Sequence, residues 1–176
     1  MEEIRDCLIV IDMQNDFIDG VLANPYAKAI VPNVSKKILQ YIRNNKPVFA
    51  TMDTHFEDLY NDTVEGKSIP LHCVYGTHGW QMPYEVNFDE SITKIIKNTF
   101  GVIEWSNFYL QHVKSVELCG VCTDICVVSN ALILRSRYPN VEIYVDSESC
   151  AGTTTGKHHA ALEVMKSCGV HVYESK

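Results

Sequence analysis

Residues 7–12 read Cys-Leu-Ile-Val-Ile-Asp, and this stretch decides the fold. Five apolar residues in succession leave no polar face. A strand made of them must be covered on both sides, as in a parallel sheet with helices above and below it. Working outward, five more short runs suit strands: residues 47–52, 94–97, 116–119, 141–145 and 169–173. Between them, apolar spacing predicts helices over residues 31–44, 102–112, 123–138 and 155–168. That alternation predicts an α/β fold: one three-layer α/β/α sandwich, with a mostly parallel sheet of about six strands, spanning residues 1–176 as a single domain.

Composition limits the function classes. The chain has 176 residues, 46% of them hydrophobic and 21% charged, as in a globular domain and unlike a disordered chain. Its formal charge of −7, with Lys and Arg scattered singly or in short pairs, argues against a nucleic-acid surface. The opening Met-Glu-Glu-Ile-Arg-Asp lacks the basic flank and long apolar run of a signal peptide. Its first apolar stretch is much shorter than the roughly 18 residues of a membrane span. Seven cysteines without an export signal read as thiols rather than as a disulfide framework. The expected address is the cytoplasm, and the expected partner is a small molecule.

In open α/β sheets, ligands bind beyond the carboxyl ends of the strands. Asp12, Asp53, Lys97 and the segment Cys122–Cys126 all fall at or just after predicted strand ends. Each has an ordinary explanation: a turn cap, a solvated amine, a small filler side chain. Together they make a chemical set. A thiol needs help to become a thiolate, a carboxylate can take its proton, and an ammonium group can hold that carboxylate ionised. Asp12, Lys97 and Cys126 meet that need without histidine; Lys94 and Cys122 are the neighbours competing for two of the places. Residues 54–87 form a long aperiodic loop, a kind of segment that is more often functional than idle. Asp53-Thr-His55 puts two metal-ligating side chains on one face of extended chain, and His72 lies further along the loop.

Two segments carry a family resemblance. Asp12-Met-Gln-Asn-Asp-Phe17 resembles the opening of the isochorismatase-like cysteine hydrolases, and Gly120-Val-Cys-Thr-Asp-Ile-Cys126-Val127 resembles their nucleophile segment. The likeness continues through Asp146 and residues 150–165, nearly the whole chain. It implies a catalytic triad at Asp12, Lys97 and Cys126, with Cys126 favoured over Cys122 as nucleophile. It also implies an oxyanion hole from the Cys122 and Cys126 amides, a cis Val121–Cys122 peptide, and substrate contacts at Phe17 and Val121. Similarity to the nicotinamidase/pyrazinamidase branch implies one divalent ion on Asp53, His55 and His72, with Glu65 as a further ligand. Zn²⁺ suits that mixed set, and Mn²⁺ or Fe²⁺ fit it too. Ile69 departs from the branch, which usually places an aromatic there.

The implied reaction is hydrolysis of nicotinamide to nicotinate and ammonia in NAD salvage. The alternatives are an amidase for another small amide or ureido compound, a non-catalytic family member that binds a metal or ligand, and a nickel or zinc sensor. By family analogy the chain is also a candidate homo-oligomer, dimer or tetramer.

Overall fold

The structure is a computed structural model that describes residues 4–105 and 110–175. Six strands form one all-parallel sheet: β1 (Cys7–Ile11), β2 (Val48–Asp53), β3 (Thr93–Lys97), β4 (Ser115–Val121), β5 (Glu142–Ala151) and β6 (His171–Tyr173), in the order β3-β2-β1-β4-β5-β6. All five residues of β1 are fully buried, as an unbroken apolar run requires. The helices are α1 (Asn15–Ile18), α2 (Pro25–Arg43), α3 (Glu57–Tyr60), α4 (Val128–Arg137) and α5 (Thr155–Ser167). α2 packs on β1, β4 and β5, while α4 and α5 pack on each other and on β5. No helix among the described residues is long and apolar enough to cross a membrane.

The order of strands reverses between β1 and β4, which are neighbours in the sheet. Chain leaving their carboxyl ends diverges there and opens a crevice, the usual ligand position in this architecture. Asp12 follows β1, and residues 122–126 follow β4.

Four of the departures from the sequence expectation are instructive. α2 starts at Pro25 rather than residue 31, because the Asn24 side chain accepts the Tyr26 N–H and Pro25 supplies a preset φ at the first helical position. The helix expected over residues 102–112 is absent from its described part, where Leu110–His112 form a single 3₁₀ turn. Residues 106–109 of that expectation lie outside the described residues. The helix expected from residue 123 opens as a π-helical turn, Thr123–Val127, before α4 begins.

Finally, β5 runs to Ala151 instead of stopping near residue 145. Its polar continuation stays in the sheet because Asp146 is fully buried yet paired, 3.0 Å from Lys37 Nζ and 2.6 Å from Ser149 Oγ. Lys37 also pairs with Glu117 at 2.7 Å, and the Tyr41 and Tyr173 hydroxyls donate to the same Glu117. Burial pushes the Asp146 carboxyl up, but Ser149, Lys37 and the Ser175 amide outweigh it and hold the group below 3.8. A lowered folded-state value means the stabilisation is present above the unfolded value and is lost as pH falls through the folded one. Asp146→Asn should therefore flatten the acid limb of a plot of urea midpoint against pH, most clearly below pH 3.8. An unchanged limb would remove Asp146 from the account of acid stability.

Candidate active site

Thr51 reaches across from β2 to fix Asp12. Its hydroxyl donates to Asp12 Oδ1 at 2.6 Å and accepts the Asp12 N–H at 3.1 Å. Asp12 has φ +47, an unusual conformation for a residue with a side chain, which takes the chain sharply off the strand. Lys97, the last residue of β3, lies 2.8 Å from Asp12 Oδ2 and 3.7 Å from Cys126 Sγ. Asp12 is near enough to the Cys126 thiol to raise its pKa. Lys97 is buried, whereas Lys94 is exposed and stays outside the cluster. The structure thus brings together Asp12, Lys97 and Cys126, each 5% exposed or less.

The charge states follow from burial and pairing. Burial would strip the proton from Lys97, but Asp12, Cys126 and Asp53 together hold it charged, well above 10.5. Burial raises the Asp12 carboxyl above 3.8 against the pull of Lys97. Burial and the adjacent Asp12 push the Cys126 thiol well above 9.0, with Lys97 opposing. At rest the cysteine is therefore a thiol, and the nearest acceptor for its proton is a carboxylate made more basic by its surroundings.

Cys122 caps the π-helical turn, and its peptide bond to Val121 is cis. Its thiol is pushed up to about 12, chiefly by burial and then by Asp124. Two anchors fix the turn that carries Cys126. Asp124 accepts the Thr153 N–H at 2.7 Å and its hydroxyl at 2.6 Å, while Asn130 Nδ2 donates to Cys126 O at 2.8 Å.

Asp53 faces two ways. Its Oδ1 pairs with Lys97 at 3.0 Å; its Oδ2 lies 3.2 Å from His55 Nε2 and 3.1 Å from His72 Nε2. Glu65 Oε1 lies 3.9 and 3.8 Å from the same two nitrogens. One ligand atom from each of Asp53, His55, Glu65 and His72 lies within 4.8 Å of the others. His72 Nδ1 sits 2.8 Å from Pro70 O, which can only accept, so Nδ1 carries a proton and Nε2 is the nitrogen turned toward Asp53, whose charge holds the imidazole above its usual range against burial. Two imidazole nitrogens and two carboxylates thus converge on one small volume, which asks for positive charge among them, from ring protons or from a bound cation. The donor set fits a divalent ion, and the bond from His72 Nδ1 to Pro70 is the kind of outer contact that orients a ligand imidazole.

Phe17, Asp53, Glu65, His72, Cys122 and Cys126 face a common cavity of about 510 Å³. The Phe17 and His72 rings meet edge to face, 5.4 Å between centroids. Val121 is fully buried at the end of β4 and does not line this cavity.

The isochorismatase domain matches residues 6–176 of this chain. The chain belongs to the isochorismatase family. It is 27% identical over 207 residues to a nicotinamidase of Schizosaccharomyces pombe, covering 96% of this chain and 93% of that protein. It is 25% identical to a nicotinamidase/pyrazinamidase of Mycobacterium tuberculosis, covering 94% and 96% of the two chains. Among solved structures, the pyrazinamidase of Pyrococcus horikoshii in complex with zinc superposes with a TM-score of 0.86 at 29% identity, covering 98% of this chain and all of that one.

Three supports of this isochorismatase-family site escaped the sequence reading. Thr51 is one. Gln14 is another: it brackets Asp53, accepting its N–H at 2.7 Å and donating to its carbonyl at 2.8 Å. The third is Asp16, a buried carboxylate whose oxygens accept the Cys73 N–H at 2.7 Å and the Val21 N–H at 3.2 Å. It ties the segment bearing Phe17 to the one bearing His72. A Cβ on Gly20 or Gly79 would come within 2.4 Å of it, so both positions stay open for its carboxylate. The only signal in the sequence was the density of polar residues after β1, which does not tell a brace from a reactant.

Proposed function

We propose that the protein is a nicotinamidase, converting nicotinamide and water to nicotinate and ammonia and so feeding NAD salvage. The observation that carries the proposal is Asp53, a single carboxylate joining a four-residue metal-binding group to a buried Asp-Lys-Cys cluster, with Asp53, Glu65, His72 and Cys126 all lining one cavity. A substrate spanning those groups needs a carboxamide at one end and a ligating atom at the other, as a pyridine carboxamide has. A divalent ion on Asp53, His55, His72 and Glu65 would supply a Lewis-acidic anchor for the ring nitrogen.

In this reading the Cys126 sulfur attacks the carboxamide carbon as its proton passes to Asp12. The Cys122 and Cys126 backbone amides hold the developing oxyanion. Collapse breaks the C–N bond, Asp12 returns the proton to the departing nitrogen, and ammonia leaves a thioester on Cys126. Asp12 then takes a proton from water, the hydroxyl adds to the thioester carbon, and nicotinate leaves as the thiol is regenerated. Lys97 keeps Asp12 ionised before each proton transfer and orders its carboxylate between thiol and substrate.

Ammonia release from nicotinamide is the direct test, and no release from folded, zinc-supplemented protein would end this reading. Chelator-stripped protein should show KM raised about 10–100-fold, the loss of one charge-assisted contact, and Zn²⁺ should restore it. Equal KM in both forms would detach the metal group from substrate binding and favour a non-aromatic amide.

A further inference from the structure

The cavity is much larger than the proposed substrate needs. Nicotinamide is one ring with one carboxamide, whereas pockets of roughly 300–1,000 Å³ enclose drug-sized ligands, and this one measures about 510 Å³. Cys126 of the triad and Asp53, Glu65 and His72 of the metal-binding group line it, and Asn24, Ser68 and Thr153 add three uncharged polar side chains. The remaining wall is mostly apolar, drawn from Val21, Leu22, Pro25, Tyr26, Ile69 and Phe100. Val21, Tyr26 and Phe100 are 59%, 50% and 41% exposed, which puts them at the mouth. Burying three such side chains against a ligand would remove apolar area that the empty pocket leaves wet.

The direction of that mouth follows from Asp53. A pyridine carboxamide with its amide at Cys126 and its nitrogen toward His55, His72 and Glu65 bridges the two groups that Asp53 joins. The ring carbon between nitrogen and carboxamide, position 2, then faces Asp53 at the floor. Position 5 lies directly across the ring and faces away from the floor. The polar groups hold positions 1 to 3, and the apolar mouth is what remains for position 5.

We infer that the mouth is a subsite for an apolar substituent at ring position 5, so that 5-alkylated nicotinamides are substrates as good as nicotinamide or better. The inference rests on the nicotinamidase reading and adds a specificity determinant to it. The chemistry is unchanged: water replaces the amide nitrogen and ammonia leaves.

The test compares kcat/KM for nicotinamide with that for its 5-methyl, 5-ethyl and 5-butyl derivatives in the zinc-loaded enzyme. Transfer of methylenes from water predicts a gain approaching fourfold per added carbon until the mouth is filled. In the double variant Val21→Ser/Phe100→Ser, the ratio of 5-butyl to parent kcat/KM should fall by about tenfold or more. Both values come from the same preparation, so a smaller folded fraction cancels from the ratio. Turnover of nicotinamide with rejection of the 5-alkyl series would overturn the subsite and leave the parent reading intact. So would preferential turnover of N-butylnicotinamide, which would put the apolar mouth on the leaving-group side. No turnover of any of these amides would overturn the nicotinamidase reading, and the subsite with it.

Discussion

Cys126→Ala should lower kcat for amide hydrolysis by at least about 10⁴-fold, the scale on which removing a nucleophile abolishes covalent catalysis. The sulfur lies 3.7 Å from Lys97 Nζ, which itself pairs with the buried Asp12 at 2.8 Å, so it has beside it the groups that removal of its proton requires. Cys122→Ala should stay within about tenfold of the parent, because an alanine there keeps the backbone amide proposed for the oxyanion. The pair of variants separates the two candidate thiols. Near-parent ammonia release from Cys126→Ala would transfer the nucleophile to Cys122 or end the thioester mechanism. Trapping the acyl-enzyme by acid quench and mass spectrometry should place the added mass on the peptide containing Cys126. Alanine is smaller than cysteine and the site is buried, so the urea midpoint should move only slightly.

Lys97→Met should cost both activity and stability. Lys97 is the cation between two buried carboxylates, 2.8 Å from Asp12 and 3.0 Å from Asp53. Methionine keeps most of the volume and removes the charge, so Asp12 and Asp53 would repel in a site almost without water. Removing one partner of a buried pair typically costs about 3–5 kcal/mol, to be read from the urea midpoint and slope. Turnover should fall below detection, because Asp12 would bind a proton more tightly at rest and stop accepting the one from Cys126. A second variant checks the cause. Lys97→Met combined with Asp12→Asn removes one of the two negative charges and should recover a good part of the stability while recovering no activity. If Lys97→Met alone unfolds at the parent's urea concentration, the ion pairing does not hold this site together.

How much of this was legible beforehand depended on whether a residue's neighbours were close in sequence. β1 declared itself because five apolar residues in a row have one structural meaning in a chain of this rhythm, and every one of them is buried. Asp12, Lys97 and Cys126 were legible as strand-end residues of matching chemistry. Asp53-x-His55 was legible because extended chain repeats every second residue. The end of β5 was not. Asp146, Ser147, Glu148 and Ser149 look like a loop until Lys37, more than a hundred residues earlier, is seen to neutralise Asp146 inside the sheet. The same blindness hid Thr51, Gln14 and Asp16, whose work is done on backbone and carboxylate groups distant in sequence. The π-helical turn Thr123–Val127 has no periodic signature, since a single wide turn ahead of α4 leaves the apolar pattern nearly unchanged.

Asp53 also limits how such a site can change by single steps. With one oxygen committed to the amine of Lys97 and the other to two imidazoles, no replacement side chain can leave one duty while keeping the other. Asparagine presents an N–H to one of those neighbours, glutamate overshoots both, and alanine strands a buried ammonium group. A lineage abandoning the proposed ion would have to rework the lysine's environment first, through a change at another position, before Asp53 itself could go. Losses measured at Asp53 and at His72 should then fall well short of adding, since the first already contains most of the second.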